Sequence, residues 1–495
     1  MAPTWSSRPC RAAVAFLALA RLGVVAHESI SNQVSLGICR KATPGLEFAV
    51  CAQSGGRIAP ITKEDSSSRS ASNGIWSRTT PCYKNSTDGT EYCVYTSESF
   101  AEGHGITVMT SPAKAVHFAQ LPAFADPETV RGINRDIVYE SEHGHRSDQP
   151  PLSYRVEAMP GKGFGVVATK YLNRGDLIMS TTASVVIDYA LFESIPDEDV
   201  VRMQTVAVDS LPPRHHARFM NLSTHAATEG HEQIVNKILA TNAFDIETDD
   251  DDERGYFVVF PEISRLNHDC RPNADYHFDY DTLTQHIHAV RPIAAGEEIT
   301  VSYMEYVVPS PALFCGFVDL SVRLSLTSLP HSLIKPRKAR MDKLKHTWGF
   351  ECGCSLCTQN RPMTRASDAR IAQILDLRDE FRDYTVTSRA TPQMAELFIS
   401  LFEQERLDAM LYEAYSYAAV EYNGDGEPWL ATKYARLAIE AGLMSVGTHD
   451  ADVVEMRQLA ADPWKHWSWM LRKSRRLQWG KQEKEAREKD KPKTE

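Results

Sequence analysis

The alternation of apolar and polar residues predicts short strands in the middle of the chain. Strand-like runs cover 176–179 and 184–187, and aromatic or β-branched runs follow at 256–260, 275–280 and 284–290. Turn residues separate these runs. Short strands joined by turns indicate a compact β-fold built from several small sheets.

Two glycine turns each lead into a further strand-like run. These runs are residues 99–108 and 161–169, and both contain a G-x-G pattern. Glycine turns before strands are common, so the pattern by itself predicts only two more strands.

Apolar residues at three-to-four spacing predict helices in two regions. Residues 200–240 interrupt the strand pattern and form a helical insert, and a second helical region begins beyond residue 360. In that second region the sequence N-G-D-G at 423–426 ends one helical run and Pro428 suits the first turn of the next, which predicts an antiparallel hairpin. Since the sequence carries no repeated 34-residue signature, we interpret the region as a plain helical bundle rather than a tetratricopeptide array.

Composition and charge exclude several classes of protein. The chain has 495 residues, 42% of them hydrophobic, so it can bury a sizeable core and is not disordered throughout. Its 54 Lys+Arg against 65 Asp+Glu give a formal net charge of −11, so we expect no direct nucleic-acid binding. No uncharged apolar run approaches the roughly 18 residues of a membrane-spanning helix, so we expect no membrane span.

The N-terminal segment resembles a targeting signal. Arg8 and Arg11 precede an apolar stretch at 12–20, which predicts a possible signal peptide over 1–26 and a secretory location. Arg21 interrupts the pattern, so an apolar tail or a wrongly assigned start stays open, with the nucleus or cytoplasm as the alternative compartment.

Four cysteines lie in the region that follows, residues 27–150, much of which is rich in Ser, Gly and Thr. They are Cys39, Cys51, Cys82 and Cys93. Two disulfides would fit an oxidising compartment, whereas four buried free thiols would fit a cytosolic chain.

The most specific local pattern is the C-x-C-x-x-C cluster of Cys352, Cys354 and Cys357. Thiols packed so closely are typical of a metal site. Tetrahedral Zn²⁺ needs a fourth ligand, and Cys270 is the nearest candidate with a motif around it. Four thiolates leave no position for water, so we expect a structural zinc, with redox chemistry and chance as the alternatives.

Three motifs in order resemble those of the SET-domain protein-lysine methyltransferases with a post-SET zinc cluster. They are G-K-G-F-G at 161–165, N-H-D-C-R-P-N at 267–273 with E-E-I-T-V-S-Y at 297–303, and the cysteine cluster. The resemblance covers roughly 151–357. The helical insert and helical C-terminal region are similar to the SMYD-type arrangement and to related fungal SET-domain proteins. A MYND finger is missing, because no cysteine lies between Cys93 and Cys270.

The resemblance implies a fold and two cofactors. The fold is α+β, a SET β-fold of several small sheets with a pseudoknot that includes Pro272 and Asn273, joined to a helical insert and an α-helical C-terminal domain. The cofactors are S-adenosyl-L-methionine and structural Zn²⁺, and the partner is a lysine-containing protein substrate. The residues implied to bind the first cofactor are Lys162, Gly163, Phe164, Gly165, Asn267, His268, Tyr303 and Phe350.

Each implied role suits the chemistry of its residue. Gly163 and Gly165 let the backbone approach the methionine portion of the cofactor. The Asn267 amide suits its amino-acid end, and His268 presents backbone groups to the adenine. Phe350 resembles the aromatic residue that stacks on the adenine ring.

Tyr303 is the expected catalytic residue. Methyl transfer needs a neutral lysine amine, and deprotonating a lysine of pKa about 10.4 at pH 7 costs roughly 4 to 5 kcal/mol, which an apolar channel lowers. A tyrosine of pKa about 10 is mostly protonated, so we expect its hydroxyl to orient the amine rather than to act as a strong base.

The alternative function for the whole chain is a catalytically inactive SET-fold zinc protein that acts as an interaction module through its helical domain. The intact Tyr303 and cofactor motif argue against that alternative.

Two features depart from the family pattern. Trp348 stands where SMYD-type proteins usually have a second pocket tyrosine, so the number of methyl groups transferred stays open. The stretch after Tyr303 is long and lacks motifs, and is either an ordered insertion or unspliced sequence.

The expected organisation is a possible signal peptide at 1–26, the Cys-containing region at 27–150, the SET domain at 151–306 with its helical insert at about 190–255, an atypical insertion at 307–345, the post-SET zinc segment at 346–360, a helical domain at 361–470 and a disordered charged tail at 471–495.

Overall fold

The computed structural model describes residues 59–60, 74–85, 88–134, 152–224, 229–246, 255–304 and 333–489. These residues form two compact units. The first holds the described residues of 1–134, 182–264 and 346–349, and the second those of 135–181, 265–345 and 350–495. The expected signal peptide, Cys39, Cys51 and residues 307–332 of the atypical insertion lie outside the described residues. None of the described helices is long and apolar enough to cross a membrane.

Short strands occupy the central part of the described chain. They are β1 Ala59–Pro60, β2 Cys82–Lys84, β3 Glu91–Ser97, β4 Ile106–Thr110, β5 Tyr154–Met159, β6 Gly163–Ala168, β7 Leu177–Thr182, β8 Val185–Asp188, β9 Ala243–Ile246, β10 Tyr256–Val259, β11 Asn267–His268, β12 Ala274–Asp279, β13 Thr284–Ala289 and β14 Glu298–Val301. The five runs predicted between 176 and 290 correspond to β7, β8, β10, β12 and β13.

The described helices flank and follow these strands. They are α1 Phe100–Gly103, α2 Pro112–Gln120, α3 Pro122–Ala125, α4 Ala190–Ser194, α5 Asp197–Asp209, α6 Pro213–Met220, α7 His231–Asn242, α8 Arg337–Trp348, α9 Arg361–Arg382, α10 Pro392–Gln404, α11 Leu411–Asp425, α12 Pro428–Ser445, α13 Ala451–Ala461 and α14 Leu471–Lys489. Short 3-10 helices cover Pro127–Val130, Ile263–Arg265 and Asp408–Met410.

The strand predicted over 99–108 is partly wrong. Phe100–Gly103 forms a helical turn, and the strand begins only at Ile106. Gly103 and Gly105 have φ values of 86° and 80°, which turn the chain before it becomes extended.

The first unit is built on a seven-stranded sheet in the order β1-β2-β3-β4-β8-β10-β9. Its neighbours are antiparallel except for β4 and β8. Cys82 and Cys93 lie opposite each other on β2 and β3 and form a disulfide. The helical insert supplies α4 to α7, whose Leu191, Met203 and Leu239 pack in one core with residues of the sheet. Burial of these apolar side chains is the main force that holds the insert on the sheet.

The second unit contains two smaller sheets. One has the order β11-β14-β6-β5, in which β11 is parallel to β14, and the other has the order β12-β13-β7. The buried amide of Asn273 ties the segment before β12 to β14: its Nδ2 donates to the carbonyl oxygen of Glu298 at 2.8 Å, and its Oδ1 accepts from the Thr300 N–H at 2.8 Å. Several small sheets with many helices confirm the expected α+β fold class.

The C-terminal helices also belong to the second unit. Helix α11 ends where Gly426 takes the left-handed conformation, with φ 87°, and α12 begins at Pro428, as the sequence predicts. Ala435 and Ala438 on α12 are buried in this helical region. Helix α11 is buried on almost all sides, including the carboxylates of Glu413 and Glu421. Such buried charges need partners inside the protein.

The prediction of a disordered tail from residue 471 is wrong for residues 471–489, which form α14. The reason is Arg472, whose guanidinium is buried and pairs with Glu421 at 2.6 Å. The same group donates to the carbonyl oxygen of Phe381 at 2.8 Å and to Ser388 Oγ at 3.0 Å. Arg472 holds the start of α14 in place, whereas residues 476–482 further along the helix are exposed. A composition rich in charge does not show that one of its charges has a buried partner elsewhere in the chain.

A second buried ion pair joins the N-H-D-C-R-P-N motif to the helical region. Arg271 Nη2 lies 2.8 Å from Glu405 Oε2, and both side chains are 1% exposed. Glu405 also accepts from Ser367 Oγ at 2.7 Å and from Arg370 Nε at 2.7 Å. This one carboxylate therefore balances the buried charge of Arg271 and satisfies donors from α9.

We predict that Glu405→Ala destabilises the second unit by about 3 to 5 kcal/mol, because it leaves the Arg271 guanidinium buried without a counter-charge. Urea unfolding followed by circular dichroism measures the effect. Glu403→Ala is the matched control, since Glu403 is exposed two residues away and its loss should change stability by less than about 0.5 kcal/mol. Equal stability of the two variants would contradict the importance of the buried pair.

Candidate functional site

Four cysteines of the second unit come together as the sequence predicts. Cys270, Cys352, Cys354 and Cys357 have sulfur atoms within 4.8 Å of one another, and all four are free thiols. The Cys270 sulfur lies 3.9 Å from that of Cys352 and 3.6 Å from that of Cys357. With Zn–S bonds of about 2.3 Å, tetrahedral geometry puts sulfurs about 3.8 Å apart. The donor set and the two measured separations therefore fit Zn²⁺.

The glycine turn before β6 approaches an amide and a carboxylate closely. Gly163 has φ 78°, a backbone conformation that residues other than glycine rarely adopt. A Cβ on Gly165 would lie 2.6 Å from Met159 Cγ and 2.8 Å from Asn267 Nδ2. Only glycine fits this position without displacing its neighbours.

Glu298 organises the polar groups around this turn. Its Oε1 accepts from Asn267 Nδ2 at 2.9 Å, and its Oε2 lies 2.7 Å from Lys162 Nζ. Asn267 Nδ2 also donates to the carbonyl oxygen of Phe164 at 3.2 Å. Both donor hydrogens of the Asn267 amide are thus used within the protein. Its Oδ1 has no hydrogen-bond partner among the described residues, which leaves an acceptor at the site.

Tyr303 follows β14 and lies close to the same motif. Its hydroxyl donates to the carbonyl oxygen of Leu266 at 2.8 Å. Burial, and then repulsion by Glu298, raise the pKa of Tyr303 well above its ordinary value. The phenol is therefore neutral at pH 7, and with its hydrogen directed to Leu266 its oxygen can accept a hydrogen bond from a ligand.

His268 connects Tyr303 to the cysteine cluster. The backbone N–H of Tyr303 donates to His268 Nδ1 at 3.1 Å, so the ring hydrogen resides on Nε2, which lies 3.4 Å from the Cys270 sulfur. Burial lowers the pKa of His268 to about 3, so the ring is neutral. A neutral imidazole that contacts the Cys270 sulfur through Nε2 and accepts from the Tyr303 backbone N–H through Nδ1 fixes both residues in place.

The Phe350 ring lies near the rings of His268 and Tyr303. Its ring centroid lies 6.2 Å from that of His268 and 6.3 Å from that of Tyr303, which it meets edge-on. The structure thus brings together the glycine turn, the N-H-D-C motif, Tyr303, Phe350 and the four cysteines. The contacts of the His268 ring and of the Glu298 carboxylate were not predicted from the sequence, because both depend on pairings between residues far apart in the chain.

Comparisons with known proteins agree with this arrangement. Residues 163–304 match the SET domain family model. The chain is 25% identical over 224 residues to the histone-lysine N-methyltransferase set5 of Schizosaccharomyces pombe, which covers 45% of this chain and 56% of that protein. It is 24% identical over 174 residues to the N-lysine methyltransferase SMYD2-B of Xenopus laevis. That alignment covers 35% of this chain and 32% of the relative.

The chain therefore spans about half the length of the first relative and about a third of the second. A solved SET domain, that of LSMT bound to lysine and AdoHcy, aligns with 68% of this chain and 88% of that one, at 13% identity and a TM-score of 0.24, a likeness too weak to support an argument. The family match and the sequence relatives confirm the resemblance drawn from the motifs. Residues 163–304 of this chain therefore match the SET domain, and part of the chain is similar to lysine methyltransferases of the SMYD group.

Proposed function

We propose that this protein transfers methyl groups from S-adenosylmethionine to lysine side chains of a protein substrate. The observation that carries the proposal is the position of Tyr303: a neutral, partly buried phenol whose hydroxyl donates to the carbonyl oxygen of Leu266. Leu266 directly precedes Asn267, whose amide lies against a glycine turn that leaves no room for a side chain. The relatives support it, since both are named as lysine methyltransferases.

The cofactor site is the group formed by the turn at 163–165, Asn267 and Phe350. S-Adenosylmethionine, when bound, supplies a methyl group on a positively charged sulfur. Asn267 Oδ1 accepts from its ammonium group, and the bare backbone at Gly165 permits the close approach. Glu298 Oε1 and the Phe164 carbonyl oxygen accept from Asn267 Nδ2, which orients the amide and leaves Oδ1 as the acceptor for the cofactor.

Tyr303 orients the substrate amine. A phenol with a raised pKa is a poor general base, so its contribution is position: the oxygen accepts a hydrogen bond from the amine and aligns the nitrogen lone pair. Burial at the site lowers the pKa of an entering lysine and helps it lose its proton to solvent. His268 keeps the Tyr303 backbone in register with the cysteine cluster.

The zinc proposed for the cysteine cluster is structural. Four thiolates satisfy the ion, and the site joins Cys270 to a segment more than 80 residues later in the chain. Metal binding there stabilises the position of Phe350, which precedes the cluster.

We predict that Cys270→Ser lowers the zinc content by about one equivalent per chain and lowers the thermal stability, because a hydroxyl is a poor substitute for a thiolate ligand. Elemental analysis and differential scanning fluorimetry give the two values. Ser355→Ala is the control, since Ser355 is exposed within the same loop and supplies no ligand. Unchanged zinc content in Cys270→Ser would show that Cys270 is not a ligand.

Gly165→Ala is predicted to weaken S-adenosylmethionine binding at least about tenfold, because the added methyl displaces Met159 or Asn267. Calorimetric titration measures the affinity of the wild-type protein and the variant. Gly480→Ala, where a Cβ meets nothing within 4 Å, should bind like the wild type. If zinc-loaded, folded wild-type protein bound no S-adenosylmethionine, the proposal would fail and the interaction-module alternative would be favoured.

Tyr303→Phe is predicted to retain cofactor and zinc binding while methyl transfer falls by about two orders of magnitude, or the number of methyl groups added changes. Labelled-methyl transfer onto core histones and a protein array is the assay. Core histones come first because the relative from S. pombe is named as a histone-lysine methyltransferase. Tyr171→Phe removes the hydroxyl of an exposed tyrosine and serves as the control. A variant with unchanged rate and product would show that Tyr303 is structural.

A further inference from the structure

The first unit contains a second cluster of metal-ligating side chains, formed by His104, His215 and Glu262. One ring nitrogen from each histidine and one carboxylate oxygen lie within 4.8 Å of one another. His215 is only 2% exposed, and the other two side chains are partly buried. The cluster contains no thiol and is independent of the methyltransferase proposal.

The hydrogen bonds of His215 identify Nε2 as the nitrogen that can act as a ligand once the Ser184 hydroxyl turns away. Its Nδ1 donates to the carbonyl oxygen of His104 at 2.8 Å, so Nε2 carries a lone pair. The hydroxyl of Ser184 donates to that lone pair in this structure. A histidine that donates its other N–H to a backbone carbonyl is the usual arrangement of a metal ligand.

His104 has a buried nitrogen without a partner. Its Nδ1 lies 3.2 Å from Thr182 Oγ1, and the Asn134 amide donates to that same oxygen at 2.8 Å. The Nε2 atom of His104 is inaccessible to solvent and has no hydrogen-bond partner among the described residues. A buried polar atom left unsatisfied costs about 1 to 3 kcal/mol, and an ion is one of its standard explanations.

The types of donor atom in the cluster suit a transition-metal ion. Two neutral imidazoles and a carboxylate are the donors that Zn²⁺ takes from protein in its His₂Glu sites. Arg218 Nη1 lies 3.2 Å from Glu262 Oε1 and so orients the carboxylate.

The backbone holds the two histidines together. Gly105, next to His104, has φ 80°, and a Cβ there would lie 2.4 Å from Pro212 Cδ. Pro212 directly precedes α6, which carries His215. Because only glycine permits this contact, the turn that bears His104 is fixed against the start of the helix that bears His215.

We propose that His104, His215 and Glu262 bind a structural divalent transition-metal ion of the Zn²⁺ class. Three protein ligands come from the turn before β4, from α6 and from the segment after β10, so the ion would join three separate parts of the first unit. The Ser184 hydroxyl lies beside His215 Nε2 and is positioned to rotate away or to serve as a further oxygen donor.

The test measures metal uptake by full-length, chelator-treated protein titrated with Zn²⁺ and, separately, with Co²⁺. Wild-type protein should take up about two ions per chain, about one at the four cysteines and about one here. The difference between the Co²⁺ spectra of the wild-type protein and His104→Asn should contain weak visible bands without thiolate charge transfer, because the ligands proposed for this site are nitrogen and oxygen.

His104→Asn and Glu262→Gln should each remove about one ion while keeping the thiolate charge-transfer band, which also reports that the second unit is folded. His216→Asn is the matched control, since His216 is the next residue on α6 and its Nε2 contacts Asp209 at 3.3 Å instead of the cluster. Uptake of only about one ion by the wild-type protein, with a spectrum that is all thiolate in character, would overturn the proposal. So would uptake of about two ions by His104→Asn.

Discussion

A parallel pairing of only two residues, Asn267–His268 beside Thr300–Val301, is the contact on which the candidate site depends. It sets the amide of Asn267 next to Glu298 and the ring of His268 next to the backbone of Tyr303. So short a ladder has little stability of its own. The Asn273 amide adds stability to this pairing, because its side chain is 1% exposed and makes three hydrogen bonds, two as donor and one as acceptor. The four cysteines fix the motif from its other side.

The local part of this arrangement was predictable because it follows from neighbouring residues. Alternating apolar positions predicted β7, β8, β10, β12 and β13, and the glycine break predicted the end of α11. The cysteine cluster was predictable from spacing, since three of its four members lie within six residues. Cys270 was assigned from its motif, and its sulfur does lie with the other three.

What the sequence could not give are pairings between distant residues. Glu298 and Lys162 are 136 residues apart, and nothing in the local pattern of either predicts the contact. His104 and His215 are 111 residues apart, and neither belongs to a recognised motif. The error at residue 471 has the same origin: a charged segment was predicted to be disordered because its buried partner, Glu421, belongs to another helix. Composition describes a segment in water, whereas the fold decides which charges leave water.

The buried ion pairs also set an order in which the second unit is completed during synthesis. Arg271 must wait for Glu405, 134 residues later, and Glu421 must wait for Arg472, 51 residues later. Until each partner has been made, its counterpart is a charge that has to remain in water, so the elements around it cannot pack in their final form. The segment 267–273 is therefore translated long before the residue that balances its buried charge. The helical region is the part whose synthesis allows Arg271 of this motif to become buried beside Glu405.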